Sequence, residues 1–327
     1  MVDLSTKYMG LQLRNPIIIA SCSLVNNIEG IQRCAEAGAS AVVLKSLFEE
    51  QIQIKTEELQ QHSWLLGHPE AFEYVSKMGM VFGPREYLRL IEEAKNKVSI
   101  PIIASLNCIS PKWWTDYAKQ IVSAGADALE LNISIMPSDP HRTSEEIEHL
   151  YFEIFEQVKE CINIPIAVKI GPYFTSIARM AEEFSKRGAL ALVLFNRFYQ
   201  LDIDIEKIEL APGYRFSSPD EMSLPLRWIA LLAGRVNCAL VASTGVHDGA
   251  GVIKQILVGA TAVEICSTLY LNGIKQIGYM LSEIRTWMKM QGFDSIGQVR
   301  GKLSQMQSQR PELYERLQYI KALVGIE

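Results

Sequence analysis

Two lysines and an acid–amide pair stand near the ends of apolar runs. Lys45 closes AVVLK, Lys169 lies in IPIAVKI, and Glu130 and Asn132 close ALELN. Side chains of a strand alternate between its two faces, so Glu130 and Asn132 share one face. Such groups are costly to bury without partners, and a lysine there calls for an anion or an electron-rich ring. They therefore predict a binding site, supported by an internal pair between Glu130 and a lysine.

Two short polar turns extend this set of candidate residues. They are Ser243-Thr244-Gly245 and Cys266-Ser267-Thr268, and each follows a strand-like apolar run. In α/β barrels, the backbone N–H groups of such turns commonly bind phosphate. A Ser/Thr–Gly turn is often only a tight connection, but two of them beside a pair of lysines favour a phosphorylated cofactor.

An internal repeat shows which elements position these residues. The pattern Gly-Ala-x-Ala recurs at Gly38, Gly125, Gly188 and Gly259, each time before a strand-like run. Each glycine is typical of a residue that ends a helix in the left-handed conformation. A second apolar run lies about 25 residues before each glycine-led strand, the spacing of a strand–helix–strand unit. These earlier runs fall at residues 15–21, 100–106, 164–170 and 237–244.

Eight strands that alternate with helices predict an α/β fold, a (β/α)8 TIM barrel. An open doubly wound sheet is the alternative, but the loop after the first strand lacks G-x-G-x-x-G. Insertions follow strands 2 and 6, at residues 47–99 and 197–223, and are predicted to form lids or pocket walls. Within the second insertion, residues 203–210 alternate like an added strand. We expect one domain over residues 1–327, with amphipathic helix 273–292 after the last strand.

Composition and charge exclude several functional classes. The net charge of −5 argues against a nucleic-acid partner and favours a small-molecule substrate. No apolar run approaches the ~20 residues of a membrane span, so we expect a cytoplasmic protein without a membrane partner. The six cysteines are scattered without metal-ligand spacing, so no metal site is predicted.

Taken together and in order, these motifs resemble the soluble class 1 dihydroorotate dehydrogenases, which are FMN-containing (β/α)8 barrels. The resemblance spans nearly the whole chain. The matching residues are Asn15-Pro16, Ala20-Ser21, Lys45-Ser46, Met78-Gly79, Glu130-Leu131-Asn132, the VKIGPYF stretch around Lys169, Asn196, and the two polar turns. The resemblance implies FMN as cofactor, an oxidoreductase of pyrimidine biosynthesis that converts dihydroorotate to orotate, and a homodimer.

The resemblance also implies roles for individual residues. Lys169 corresponds to the family's lysine at the N1/O2 edge of the flavin, which stabilises negative charge on the reduced ring. The residues implied to bind FMN are Ala20, Ser21, Lys45, Ser46, Asn132, Lys169, Asn196, Thr244, Gly245, Cys266 and Ser267. Those implied to line the substrate are Lys45, Ser76, Met78, Gly79, Asn132 and Asn196.

The chain departs from the family at the substrate loop. The family reads Asn-x-Ser-Cys-Pro-Asn, with the cysteine as base, whereas residues 132–138 here read NISIMPS. Ile135 therefore occupies the base position, and Ser134 is the nearest hydroxyl that remains as a catalytic candidate. Arg197 also replaces a small hydroxyl residue. We accordingly predict an FMN-dependent oxidoreductase with an altered substrate, alongside two alternatives: a dihydrouridine synthase-like flavin enzyme, or a catalytically silent flavin-binding barrel.

Overall fold

The computed structural model describes residues 2–48, 85–107, 111–197, 201–213 and 216–315. The strands are β1 Thr6–Tyr8, β2 Leu11–Leu13, β3 Ile17–Ile19, β4 Ala41–Val43, β5 Leu47–Phe48, β6 Ile102–Asn107, β7 Ala128–Asn132, β8 Ile166–Ile170, β9 Ala191–Leu194, β10 Leu201–Asp204, β11 Glu209–Pro212, β12 Ala239–Ser243 and β13 Ala262–Ile265. The helices are α1 Ile28–Glu36, α2 Arg85–Lys97, α3 Pro111–Ser123, α4 Ser144–Cys161, α5 Ile177–Arg187, α6 Ser223–Leu232, α7 Gly249–Val258, α8 Ser267–Asn272, α9 Gln276–Gln291 and α10 Ile296–Val299.

The main sheet is a closed barrel of eight parallel strands surrounded by helices, which confirms the predicted fold class. Its strand order is β4-β3-β13-β12-β9-β8-β7-β6, β4 also pairs with β6, and β5 adds to β6. Strands such as β3, β4, β9 and β13 are buried along their whole length. They are apolar, apart from Glu264 on β13, because both faces of a parallel barrel strand are covered.

The four glycines of the repeat behave as predicted. Gly38, Gly125, Gly188 and Gly259 all have positive φ, between 89° and 122°. Only glycine reaches this region readily, since other residues carry a Cβ that clashes there. Each of these glycines therefore lets the chain leave a helix and enter the next barrel strand.

The described chain forms two compact units. The first unit comprises Met1–Ile19, Ala37–Ser40 and Lys169–Glu327. Within it, α9 packs on α7, and α9 buries the apolar side chains Ile277, Met280, Leu281, Ile284 and Met288. The predicted amphipathic helix after the last strand is thereby confirmed.

The second unit comprises Ala20–Glu36 and Ala41–Val168. Within it, α3 packs against α4 and α1 against α2. Helix α4 begins with a capping box, in which the Thr143 hydroxyl accepts from the Glu146 backbone N–H and the Glu146 carboxylate accepts from the Thr143 N–H. This box satisfies N–H groups that have no partner inside the helix. Among the described helices of the whole chain, none is long and apolar enough to cross a bilayer.

One local prediction needs correction. The alternation in residues 203–210 suggested a single added strand, but the structure has an antiparallel hairpin in which β10 pairs with β11 through Ile203 and Leu210. The turn at residues 205–208 contains Ile208 at φ 55°. An isoleucine in the left-handed region is rare, so the usual glycine or asparagine signal for a turn was missing.

Candidate active site

The first unit holds a buried ion pair at the inner ends of two barrel strands. Lys169 Nζ on β8 donates to Glu264 Oε2 on β13 at 2.6 Å, and the two side chains are 8% and 0% exposed. A charge this deep is strongly disfavoured without an opposite charge or hydrogen bonds. Lys169 is therefore a buried cation that is held in an ion pair, and it is not a solvated lysine at the rim of the barrel.

Glu264 is a buried charged residue that was not predicted from the sequence. The expected internal pair joined a lysine to Glu130, whereas the partner found here for Lys169 is Glu264, 95 residues further along the chain. The signal was available, because Glu264 follows Ala262 in AVEIC with the same alternation that singled out Glu130. A pair between Glu130 and a lysine stays a prediction.

A cluster of hydrogen-bonding groups follows strands β12 and β13 in the same unit. Ser217 Oγ accepts from the Gly245 N–H at 3.3 Å and lies 3.5 Å from His247 Nε2. The Ser217 N–H donates to Ser267 Oγ at 3.0 Å. We call Ser217, Gly245, His247 and Ser267 the polar cluster. Of its four members, the sequence reading identified Gly245 and Ser267.

The polar cluster fits the phosphate end of FMN. It brings a backbone N–H, two hydroxyl groups and an imidazole together, which are the donors that phosphate oxygens accept from. The same unit supplies the buried cation of Lys169. Cys266, which immediately precedes α8, is half-buried.

Thr244 and Asn196 are held by backbone contacts of the first unit. Thr244 has φ 82° and donates its hydroxyl to the carbonyl of Phe195 at 3.2 Å. The Asn196 N–H donates to the Ile170 carbonyl, and its side-chain oxygen accepts from the Arg197 N–H, both at 2.9 Å. Arg197 pairs with Glu221 at 3.1 Å. The arginine that departs from the family therefore has a counter-ion within its own insertion.

We expect Gly245→Ala to destabilise the protein more than Gly292→Ala. Both glycines have left-handed φ, 78° and 74°, so each substitution carries a similar backbone strain of roughly 1–2 kcal/mol. A Cβ at Gly245 would lie 2.3 Å from the backbone N of Met222, whereas nothing lies within 4 Å of one at Gly292. Urea unfolding of both variants measures the difference. Equal losses in the free energy of unfolding would contradict this prediction, because they would show that the backbone at Met222 moves away from the new Cβ without an energetic cost.

In the second unit, a hydrogen-bonded series of serine hydroxyls, which we call the hydroxyl chain, links the ends of neighbouring strands. The Ser46 N–H donates to Ser21 Oγ at 2.8 Å, and the hydroxyl of Ser46 lies 3.1 Å from that of Ser21 and 2.8 Å from that of Ser105. Tyr87 lies at one end of the hydroxyl chain, where its hydroxyl accepts a hydrogen bond from the Ser105 N–H at 2.8 Å. Burial raises the pKa of Tyr87, with a further contribution from the negative charge of Glu130. The Tyr87 hydroxyl therefore stays protonated.

The remaining predicted residues of the second unit differ in exposure. Ala20 is buried beside Ser21, Lys45 is exposed between β4 and β5, and Asn132 is half-buried at the end of β7. Glu130 is 1% exposed and lies opposite Ser105 in the sheet register. Lys45 and Lys169 are therefore different kinds of lysine, since one is solvated and the other is buried in an ion pair.

The loop after β7 is fixed at the position of the missing base. The Ile135 N–H donates to the hydroxyl of Tyr151 on α4 at 3.1 Å, and burial raises the pKa of that hydroxyl. Ile133 is buried, Ser134 and Ile135 are half-buried, and Met136 is exposed. The backbone at Ile135 thus has a defined place even though its side chain carries no proton-accepting group.

Some predicted residues lie outside the described part of the chain. They are the substrate residues Ser76, Met78 and Gly79, together with most of the first insertion. Their roles stay predictions.

Comparison with known proteins identifies the family. A model of the dihydroorotate dehydrogenase family matches residues 3–288, so the chain belongs to that family. Among its relatives is the catalytic subunit of dihydroorotate dehydrogenase B (NAD(+)) from Methanocella arvoryzae, 30% identical over 276 residues that cover 80% of this chain and 85% of the relative. The protein of the same name from Thermoplasma volcanium is 26% identical over 309 residues, with 92% and 98% covered. That from Pyrococcus abyssi is 24% identical over 303 residues, with 91% and 98% covered.

Membership of the family confirms three predictions made from the sequence. They are the resemblance itself, the oxidoreductase class and FMN as the cofactor. The substrate of this chain and the roles of its individual residues are separate questions, since the substrate loop is where it departs from the family pattern.

Proposed function

We propose that this chain is an FMN-dependent oxidoreductase that acts on a CH–CH bond of a small molecule related to dihydroorotate. The observation that carries the proposal is the polar cluster, because it gathers phosphate-binding donors at the ends of two adjacent barrel strands. Barrel enzymes commonly bind phosphate after their seventh and eighth strands. Family membership supports the same cofactor.

In this proposal, the first unit binds the phosphate and tunes the ring. Gly245 and Ser267 line the phosphate together with the neighbouring Thr244 and Cys266. Ser217 and His247, which were not predicted from the sequence, assist them. Lys169 stabilises negative charge on the isoalloxazine ring and Asn196 contributes an amide. FMN, when bound, accepts a hydride from the substrate.

The second unit contributes further cofactor and substrate contacts in the proposal. Ala20, Ser21, Lys45, Ser46 and Asn132 take the flavin roles that the resemblance implies. The hydroxyl chain orients Ser21 and Ser46, because each of these hydroxyls is already fixed by a hydrogen-bond partner. For the substrate we propose Lys45, Ser76, Met78, Gly79, Asn132 and Asn196.

The substrate loop makes a changed substrate part of the proposal. Oxidation of dihydroorotate requires a base that takes a proton while the hydride leaves, and Ile135 cannot accept one. Ser134 is the remaining hydroxyl of the loop. A substrate whose proton is lost more readily, or to another group, would suit this loop better than dihydroorotate.

The proposal extends to assembly and location. We propose one domain over residues 1–327, a homodimer and a cytoplasmic location. The relatives are named catalytic subunits, so those proteins work with a further subunit. A second subunit for this chain is therefore an alternative to the homodimer.

Binding of FMN and riboflavin by the apoprotein tests the phosphate assignment. We expect FMN to bind at least tenfold more tightly, because charge-assisted hydrogen bonds contribute about 1.5–3 kcal/mol each and about 1.4 kcal/mol is tenfold. Ser267→Ala should narrow this ratio, whereas Ser123→Ala, which removes an exposed hydroxyl of α3, should not. Fluorescence titration measures all six affinities, two flavins for each of the three proteins. Equal binding of both flavins to the parent would refute the phosphate site.

A further inference from the structure

The pairing of Lys169 with Glu264 alters what the lysine can do. The two side chains meet at 2.6 Å and both are shielded from solvent. Burial alone disfavours an ammonium group, and an opposite charge at contact distance restores it. Glu264 therefore keeps Lys169 charged and fixes the direction of its side chain. The same carboxylate cancels much of the field that the ammonium exerts on any neighbouring group.

The neighbours of Glu264 in the sheet register carry no charge. On β13 it lies opposite Ser243 of β12 and Ile18 of β3, neither of which carries a charge. Its second oxygen, Oε1, is buried and has no hydrogen-bond partner among the described residues. Hydrogen bonds between an ammonium and a carboxylate are stronger than those between neutral groups, so the contact with Lys169 is the main one that Glu264 makes in the described chain.

We propose that Glu264 is a positioning residue that orients Lys169 and, by screening its charge, lowers the reduction potential of the bound flavin. The inference rests on the proposed function, since it concerns the effect of this pair on FMN. A free lysine near the N1/O2 edge would favour the reduced flavin, which carries negative charge there. A lysine held by a carboxylate favours it less, so reduced FMN is a stronger reductant in this chain.

The test is the reduction potential of FMN in the parent and in Glu264→Gln, measured by equilibration with a reference dye. FMN binding is first measured by fluorescence titration. Loss of the carboxylate should raise the preference for reduced over oxidised FMN about tenfold, which for a two-electron couple is about 30 mV. Glu182→Gln, which removes an exposed partner of Lys186 on α5, should leave the potential unchanged.

Two further variants separate a charge effect from a structural one. Glu264→Asp keeps the charge but withdraws it by one methylene, so the potential should lie between those of the parent and Glu264→Gln. Combining Lys169→Met with Glu264→Gln removes the cation and should abolish the rise. If Glu264→Gln does not fold, the inference is tested by Glu264→Asp, whose reduction potential should be higher than that of the parent.

The outcomes distinguish this inference from the proposed function. A parent that binds no FMN refutes the proposed function and the inference with it. A parent that binds FMN, with the same potential in Glu264→Gln or, where that variant does not fold, in Glu264→Asp, overturns the inference alone. A rise in Glu264→Gln that persists in the double variant also overturns it, because the effect would not act through Lys169.

Discussion

Ile135→Cys is expected to accelerate the reduction of bound FMN by dihydroorotate about 10²- to 10⁴-fold, the usual contribution of a general base. Ile135 occupies the position where the family has its cysteine base, and its backbone N–H is held by Tyr151 at 3.1 Å. The backbone that would carry the new thiol is therefore held in position. Anaerobic stopped-flow reduction in a single turnover measures the chemical step. Adding Ser138→Asn restores an amide of the family loop and should increase the gain.

The neighbouring residue provides a matched control. Met136 is 61% exposed, so Met136→Cys introduces a thiol into the same loop at a solvated position, and we expect no acceleration. A parent that already reduces FMN as fast as Ile135→Cys would show that the base comes from elsewhere, such as the insertion at residues 47–99 or the one at residues 197–223. If dihydroorotate reduces the bound FMN in neither form, dihydroorotate is not the substrate. The protein then either acts on a different substrate or is the catalytically silent flavin-binding barrel.

Lys169→Ala is expected to destabilise the apoprotein by about 3–5 kcal/mol, because removing one partner of a buried ion pair leaves the other charge uncompensated. Glu264 is the charge left behind, at 0% side-chain exposure. The variant should also retain FMN less well, since the proposed function places this cation beside the flavin ring. Urea unfolding and equilibrium dialysis of FMN measure the two effects.

Lys45→Ala is the control for the predicted loss of stability. Lys45 is exposed between β4 and β5, so its removal should change stability by well under 1 kcal/mol. Replacing both Lys169 and Glu264 by uncharged residues should recover much of the stability lost in the single variant, because neither charge is then buried alone. Equal losses in the free energy of unfolding of Lys169→Ala and Lys45→Ala would contradict this prediction, because they would show that Lys169 behaves as a solvated lysine.

The fold could be predicted from the sequence because its signals are local. Each of Gly38, Gly125, Gly188 and Gly259 marks one joint between a helix and a strand, and each adopts the positive φ that the pattern implied. The apolar runs around these joints became the barrel strands. Local periodicity failed at the β10–β11 hairpin, where alternation continues through a turn that Ile208 occupies without a turn residue.

The site was less predictable because its contacts are remote in sequence. Lys169 could be identified as a strand-end lysine, but only the sheet brings Glu264, 95 residues away, to within 2.6 Å. Ser217 lies in an irregular segment without periodicity, and its contact with Gly245 depends on how that segment returns to the strand ends. His247 lacked any spacing to a second functional residue. Such pairings carry no local signature.

The visible spectrum of the protein as purified tests the central claim most directly. The account predicts a yellow protein with about one FMN per chain, released by acid and identified by chromatography, because the polar cluster and the buried Lys169 fit FMN. A colourless protein that also takes up no FMN on reconstitution would contradict the account.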